Sequence, residues 1–179
     1  MAEIKKPEPA KLIVGMLSSY PAAFDLAAER LCGIYGAVEV QSPPIRFDFT
    51  SYYEKQMGSG LLRKFMAFEK LIDPTTLADI KILTNRLEAE LGPMISSDVP
   101  RPLNLDPGYL TLAKLVLAST KDFSHRIYLR DGIYAEVTLR FEKGGTFTAS
   151  PWTFPDFTNC AEYHAFLLEA RRKLAGRRS

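Results

Sequence analysis

Residues 11–36, KLIVGMLSSYPAAFDLAAERLCGIYG, decide the fold. Lys11 to Ser19 is a short, almost continuously apolar run, the pattern of a central strand covered on both faces. Pro21 suits the first turn of a helix, where its missing N–H would have no partner anyway. Phe24, Ala28, Leu31 and Tyr35 then recur at three- and four-residue spacing, and Gly36 stands where a C-terminal cap belongs. A buried strand therefore feeds an amphipathic helix.

Downstream, Ile45, Phe47 and Phe49 alternate with Arg46, Asp48 and Thr50, and Leu61 to Glu69 supplies a partner strand. A second helix is capped by Asp73, opened by Pro74, lined by Leu77, Ile80, Thr84, Leu87 and Leu91, and stopped by Gly92-Pro93. With a strand near Leu103-Asn104-Leu105 the order becomes βαββαβ, the ferredoxin-like arrangement. Tyr109 to Ser119 reads as a short helix or a buried strand. Asp131-Gly132 is a strong two-residue turn between Ile127–Arg130 and Ile133–Val137. Gly144-Gly145 marks a further turn. Asn159 with Glu162 forms a capping-box pattern for a last helix that buries Tyr163, Phe166, Leu167, Ala170 and Leu174. The expected fold is α+β, ferredoxin-like in its N-terminal part and followed by a hairpin or meander and a C-terminal helix. Residues 1–10 are expected as a flexible tail, 11–175 as one α+β domain and 176–179 as a basic tail.

The 179 residues are 46% hydrophobic and 25% charged, with a formal net charge of +2. No global field marks a nucleic-acid binder, and the basic excess is local, in Arg171-Arg172-Lys173 and Arg177-Arg178. Two cysteines, no CxxC and no secretory leader point to reduced thiols and a cytoplasmic location. No apolar run approaches the roughly 20 residues of a membrane span.

No GxxxxGK[ST], GxGxxG, HExxH or GxSxG is present. Cys160 and His164, four apart on a helix, have a chelating spacing but lack further ligands. Ser18-Ser19 lies between strand and helix, where free N–H groups favour anions. The hairpin says more. A simple register pairs Arg130 with Ile133, Tyr128 with Ala135, Arg126 with Val137 and His125 with Thr138. His125, Glu136, Thr138 and Arg140 then share one face, opposite an apolar face of Ile133, Ala135, Val137, Leu139 and Phe141. That polar set either positions an anion with His125 and Glu136 as an acid–base pair, or is a solvated outer face. Arg126 would point at the core unless a bulge there, or a site lying between the two faces, intervenes. Asn104 to Tyr109 reads as a turn that Asp106 braces or presents to a ligand. Ser119-Thr120-Lys121-Asp122 is a polar loop able to hold an anion. In Pro151 to Phe157, Trp152 either stacks on a ring or closes over the core.

Asn104 to Leu129, Gly132 to Phe141 and Pro151 to Phe157 resemble a prokaryotic family known as domain of unknown function 4416, with weaker similarity through Phe49 to Ile72. The resemblance implies a label, GTP-binding protein, that many members carry, and no catalytic residue. Neither a Walker loop nor an NKxD motif supports that label here.

Two functions are compatible with these residues. One is a small-ligand site for a nucleotide or another phosphorylated metabolite. Asp106, Lys121, Arg126 and Asp156 would bind, His125 and Glu136 would do any acid–base work, and Asp106, Glu136 and Asp156 offer oxygens suited to magnesium. The alternative is a non-enzymatic RNA- or protein-binding module that uses the sheet and the basic tail.

Overall fold

A computed structural model describes residues 3–177. Ala10–Ser18 form β1 and Pro21–Tyr35 form α1. The next strand, β2, is Val38–Gln41, directly after the helix, and only Ile45–Arg46 of the expected second strand pair as β3. Pro43-Pro44 cannot donate ladder hydrogen bonds, so they break the run there. Phe47 and Phe49 leave the sheet for a strap, residues 47–60, that contains the one-turn helix α2 (Glu54–Met57). Leu62–Ile72 form β4. Asp73 accepts a hydrogen bond from the Thr75 N–H at 2.9 Å, and α3 runs over Leu77–Leu91.

The remaining strands are β5 (Asn104–Leu110), β6 (Lys114–Ser119), β7 (Ile127–Arg130), β8 (Ile133–Phe141) and β9 (Phe147–Ala149). Asn104 to Tyr109 is therefore strand, not turn, and Tyr109 to Ser119 is a strand pair, not a helix. The nine strands among the described residues form one antiparallel sheet in the order β2-β4-β1-β5-β6-β8-β7, with β3 on β4 and β9 on β8. The β2-β4-β1-β5 half is the ferredoxin-like order the sequence implies.

Alternation along β1 sorts the two faces. Leu12, Val14 and Met16 pack with Met66, Phe68 and Leu105 under α1 and α3. Ile13, Phe65, Ala67, Leu110, Leu115 and Leu139 face the other way, against α5 (Ala161–Gly176). The buried side of α5 is Tyr163, Phe166, Leu167, Ala170 and Leu174, as its spacing predicts. Its start differs from expectation. Asn159 ends a separate short helix, α4 (Pro155–Asn159), so Cys160 holds the N-cap position and no capping box forms.

The hairpin turn is where the sequence puts it, with Asp131 and Gly132 at φ 52° and 74°. Its register is not. Leu129 is an extra residue, so Tyr128 pairs with Tyr134 and Ile127 with Ala135. Thr138 is a second bulge, between the pairs Val116–Val137 and Leu115–Leu139. Bulges reverse alternation. As a result Glu136 and Thr138 are buried and Val137 is exposed, which replaces the expected polar outer face.

Candidate functional site

β5 and β6 pair only through Gly108–Leu110 and Leu115–Leu117. Beyond Gly108 the sheet forks. One prong, Asn104 to Pro107, keeps β1 as its neighbour, and the other, Ala118-Ser119, keeps β8. Pro107 is tolerated in this strand because its prong has a partner on one side only. At the apex, a Cβ on Gly108 would sit 2.3 Å from the Val116 carbonyl oxygen, so the two strands touch there through glycine alone.

The fork opens into a cavity of about 860 Å³. One side is the strap, with Phe47, Phe49, Tyr52, Tyr53 and Gln56. Phe154 to Phe157 line the cavity as well. Lys81 and Asn85 of α3 also line the cavity, reaching it from the far face of the sheet through the gap. Lys81, whose side chain is 6% exposed, donates to the Leu105 carbonyl at 2.8 Å and lies 3.7 Å from Asp106 Oδ1.

Arg63 lies at the centre of the polar wall, its side chain 5% exposed. It shares its face of β4 with Phe65, and Gly15 of β1 makes room for both. A Cβ at Gly15 would meet Phe65 Cε1 at 3.0 Å and Arg63 Nη1 at 3.3 Å. Arg63 Nη1 donates to Asp106 Oδ2 at 2.8 Å, and Nη2 lies 3.8 Å from Asp156 Oδ2. Asn104 Nδ2 also donates to Asp106, at 2.7 Å, and Asn104 Oδ1 accepts from Arg101. Arg101 is in turn held by Glu88, 2.7 Å away.

The two aspartates differ. Burial pushes the Asp106 carboxyl up, but Arg63, Lys81 and its hydrogen bonds outweigh it and hold the group below the usual aspartate range. Burial raises Asp156, Arg63 offsets this only in part, and the charge of Asp106 adds to the rise. Environments that push two carboxyls apart in this way are the raw material of acid–base pairs. Among the described residues, Arg63 Nε and the Tyr163 hydroxyl are buried without a hydrogen-bond partner.

A second network stands on the other prong. Arg126 Nε donates to Glu136 Oε2 at 2.6 Å, and its Nη1 donates to Ser119 Oγ at 2.6 Å and to the Lys121 carbonyl at 3.1 Å. His125 Nε2 lies 3.2 Å from the same Glu136 oxygen. The Leu129 bulge exchanges the expected roles. Arg126 lines the cavity, whereas His125 stands behind Glu136 and stacks on Trp152 at 5.7 Å between centroids. Trp152 thus neither closes over the core nor lines the cavity. Lys121 bridges the mouth, its ammonium 4.6 Å from the Tyr52 ring centroid and 3.3 Å from the Tyr52 hydroxyl.

The cavity therefore collects Asp106, Lys121, Arg126, Glu136 and Asp156 from the sequence reading. Arg63, Lys81 and Arg101 were missed. Arg63 and Lys81 each carry a signal, a charge inside an apolar periodicity. Arg63 occupies the inward parity of β4, and Lys81 sits within the Leu77, Ile80, Thr84 stripe of α3.

Other candidates are otherwise engaged. Ser18 and Ser19 donate to the Pro102 and Met57 carbonyls, so their hydroxyls are not turned to an anion. His164 bonds the Phe157 carbonyl and Cys160 donates to Glu162, so they form no chelate. Among the described residues no group of three or more His, Cys, Asp or Glu is placed to hold a metal ion; Arg126 holds Glu136, and Arg63 lies between the two aspartates. Arg177 pairs with Glu39 and Glu69, and Arg172 with Glu169. The rest of the expected tail, residues 178–179, lies outside the described residues. The sheet face that an RNA-binding ferredoxin-like domain would expose is covered by α5. No helix among the described residues is long and apolar enough to cross a membrane.

No curated protein and no solved structure matches the chain. A family model described as a domain of unknown function, DUF4416, matches residues 8–174, which includes every side chain named in the cavity. The chain belongs to the DUF4416 family.

Proposed function

We propose that the protein binds a small phosphorylated metabolite in the fork cavity. The observation that supports this most is the convergence of five cations, Arg63, Lys81, Arg101, Lys121 and Arg126, against three carboxylates, Asp106, Glu136 and Asp156. Cations exceed carboxylates even when Glu88, the partner of Arg101, is counted, and among the described residues the Lys81 ammonium, with three donors, has one hydrogen-bond acceptor. Arginine suits phosphate oxygens through its planar fork, and lysine through its point charge. In this reading Glu136 orients Arg126, and His125 braces Glu136 from behind. Nucleotides are members of the class. The volume lies within the roughly 300–1,000 Å³ usual for small-molecule sites.

The test is titration calorimetry with phosphate esters on the native protein and on Lys121→Ala, whose exposed ammonium can be removed without opening the core. Binding that weakens at least tenfold in the variant supports the reading. If no phosphate ester binds, or the variant binds as well as the native protein, the site is wrong.

A further inference from the structure

Three large aromatic side chains stand exposed at the mouth of the cavity, each from a different segment. They are Tyr52 of the strap, Phe123 of the β6–β7 loop and Phe154 ahead of α4, respectively 66%, 43% and 45% exposed. Single exposed apolar residues need no explanation, but a group rimming a cavity marks a binding surface. Two of these rings already carry a cation of the cavity. Lys121 Nζ lies 4.6 Å from the Tyr52 centroid, and Arg126 Cζ lies 4.5 Å from the Phe123 centroid. The anion-binding groups and the aromatic rim are thus physically one unit. A ligand that neutralises Lys121 and Arg126 with one end has the rings within reach of the other. A cavity of about 860 Å³ is also far larger than a bare phosphate group needs.

Building on the anion site above, we propose that the mouth is a ring-binding subsite. Its ligand is a phosphate ester carrying a flat heteroaromatic ring, of nucleoside monophosphate size. The ring lies against Tyr52, Phe123 and Phe154, and the phosphoryl group points inward to Arg126 and Lys121. Stacking of this kind tolerates any base, because every base presents a π-face. Selectivity then falls on the presence of a ring rather than on its identity. The ring's share corresponds to roughly tenfold to a hundredfold in affinity.

The experiment compares dissociation constants of ribose 5-phosphate with those of adenosine and uridine monophosphates, on the native protein and on Tyr52→Leu and Phe154→Leu. Both substitutions are at exposed positions, and unchanged thermal midpoints verify the fold. Nucleotides binding at least tenfold tighter than ribose 5-phosphate, with the margin lost in both variants and ribose 5-phosphate affinity unchanged in Phe154→Leu, whose ring holds neither Lys121 nor Arg126, supports the subsite. Equal affinity for all three ligands overturns it while leaving the anion site standing. So does a margin that survives both substitutions. Failure of every phosphate compound to bind removes both.

Discussion

Arg63 and Phe65 are two residues apart on one face of one strand, yet they face different surroundings. Around Phe65, the rings of Phe157, Tyr163 and Phe166 lie within 6 Å between centroids, under α5. Around Arg63 lie two carboxylates, an amide network and an open cavity. The apolar half loses water when the chain folds and so stabilises the sheet. In the polar half, charges are taken out of water and recover that loss only through one another. A sheet face can thus be divided along its strands into a part that holds the fold and a part that lines a cavity.

The largest effect that would break this contrast is in the apolar half. Phe65→Ala should cost about 3–5 kcal/mol, lowering the thermal midpoint by roughly 10 °C or more. A loss near 1 kcal/mol would mean that α5 is not the seal of the fold. Next comes the apex between the halves. Gly108→Ala must move backbone, since the new methyl meets the Val116 carbonyl, and should cost about 2–3 kcal/mol in denaturant unfolding.

Within the polar half the two aspartates should respond with opposite signs. Asp106 is held low, so its stabilisation is complete above the unfolded-chain value near 3.9 and fades as pH falls through the lower folded value. Asp106→Asn should therefore destabilise by about 1–2 kcal/mol at pH 7, with the deficit shrinking on acidification. Asp156 is held high, so the native state keeps its proton longer than the unfolded chain does. Its stability declines as pH rises from the ordinary aspartate value through the folded one. Asp156→Asn should raise the midpoint at pH 7 and leave it unchanged at low acid pH. Thermal melts across pH 3–8 check both, and like signs would erase the distinction between the two carboxyls. The smallest effect is at the rim. Lys121→Ala should change stability by less than about 0.5 kcal/mol while weakening phosphate binding, which separates the work of the two halves.

Much of the frame is legible in residues 11–36 and in Asp131-Gly132, because local chemistry dictates a strand, a helix and a turn. The site is less so, for two reasons. Cross-strand register places Asp106 beside Gly15 and Arg63 opposite Leu17, pairings between residues far apart in the chain that no local pattern encodes. The bulges at Leu129 and Thr138 also have no glycine to announce them, and the one at Leu129 decides which of His125 and Arg126 enters the cavity. Val38–Gln41 went unread because four residues give too few alternations to stand out.

The fork has a mechanical consequence. In a continuous sheet, changing the distance between neighbouring strands breaks their ladder. Here the Asn104–Pro107 prong is laddered to β1 and the Ala118-Ser119 prong to β8, with no rung between them. The two prongs are leaves joined at Gly108, and their separation can follow the thickness of whatever lies between them without the loss of a single backbone hydrogen bond.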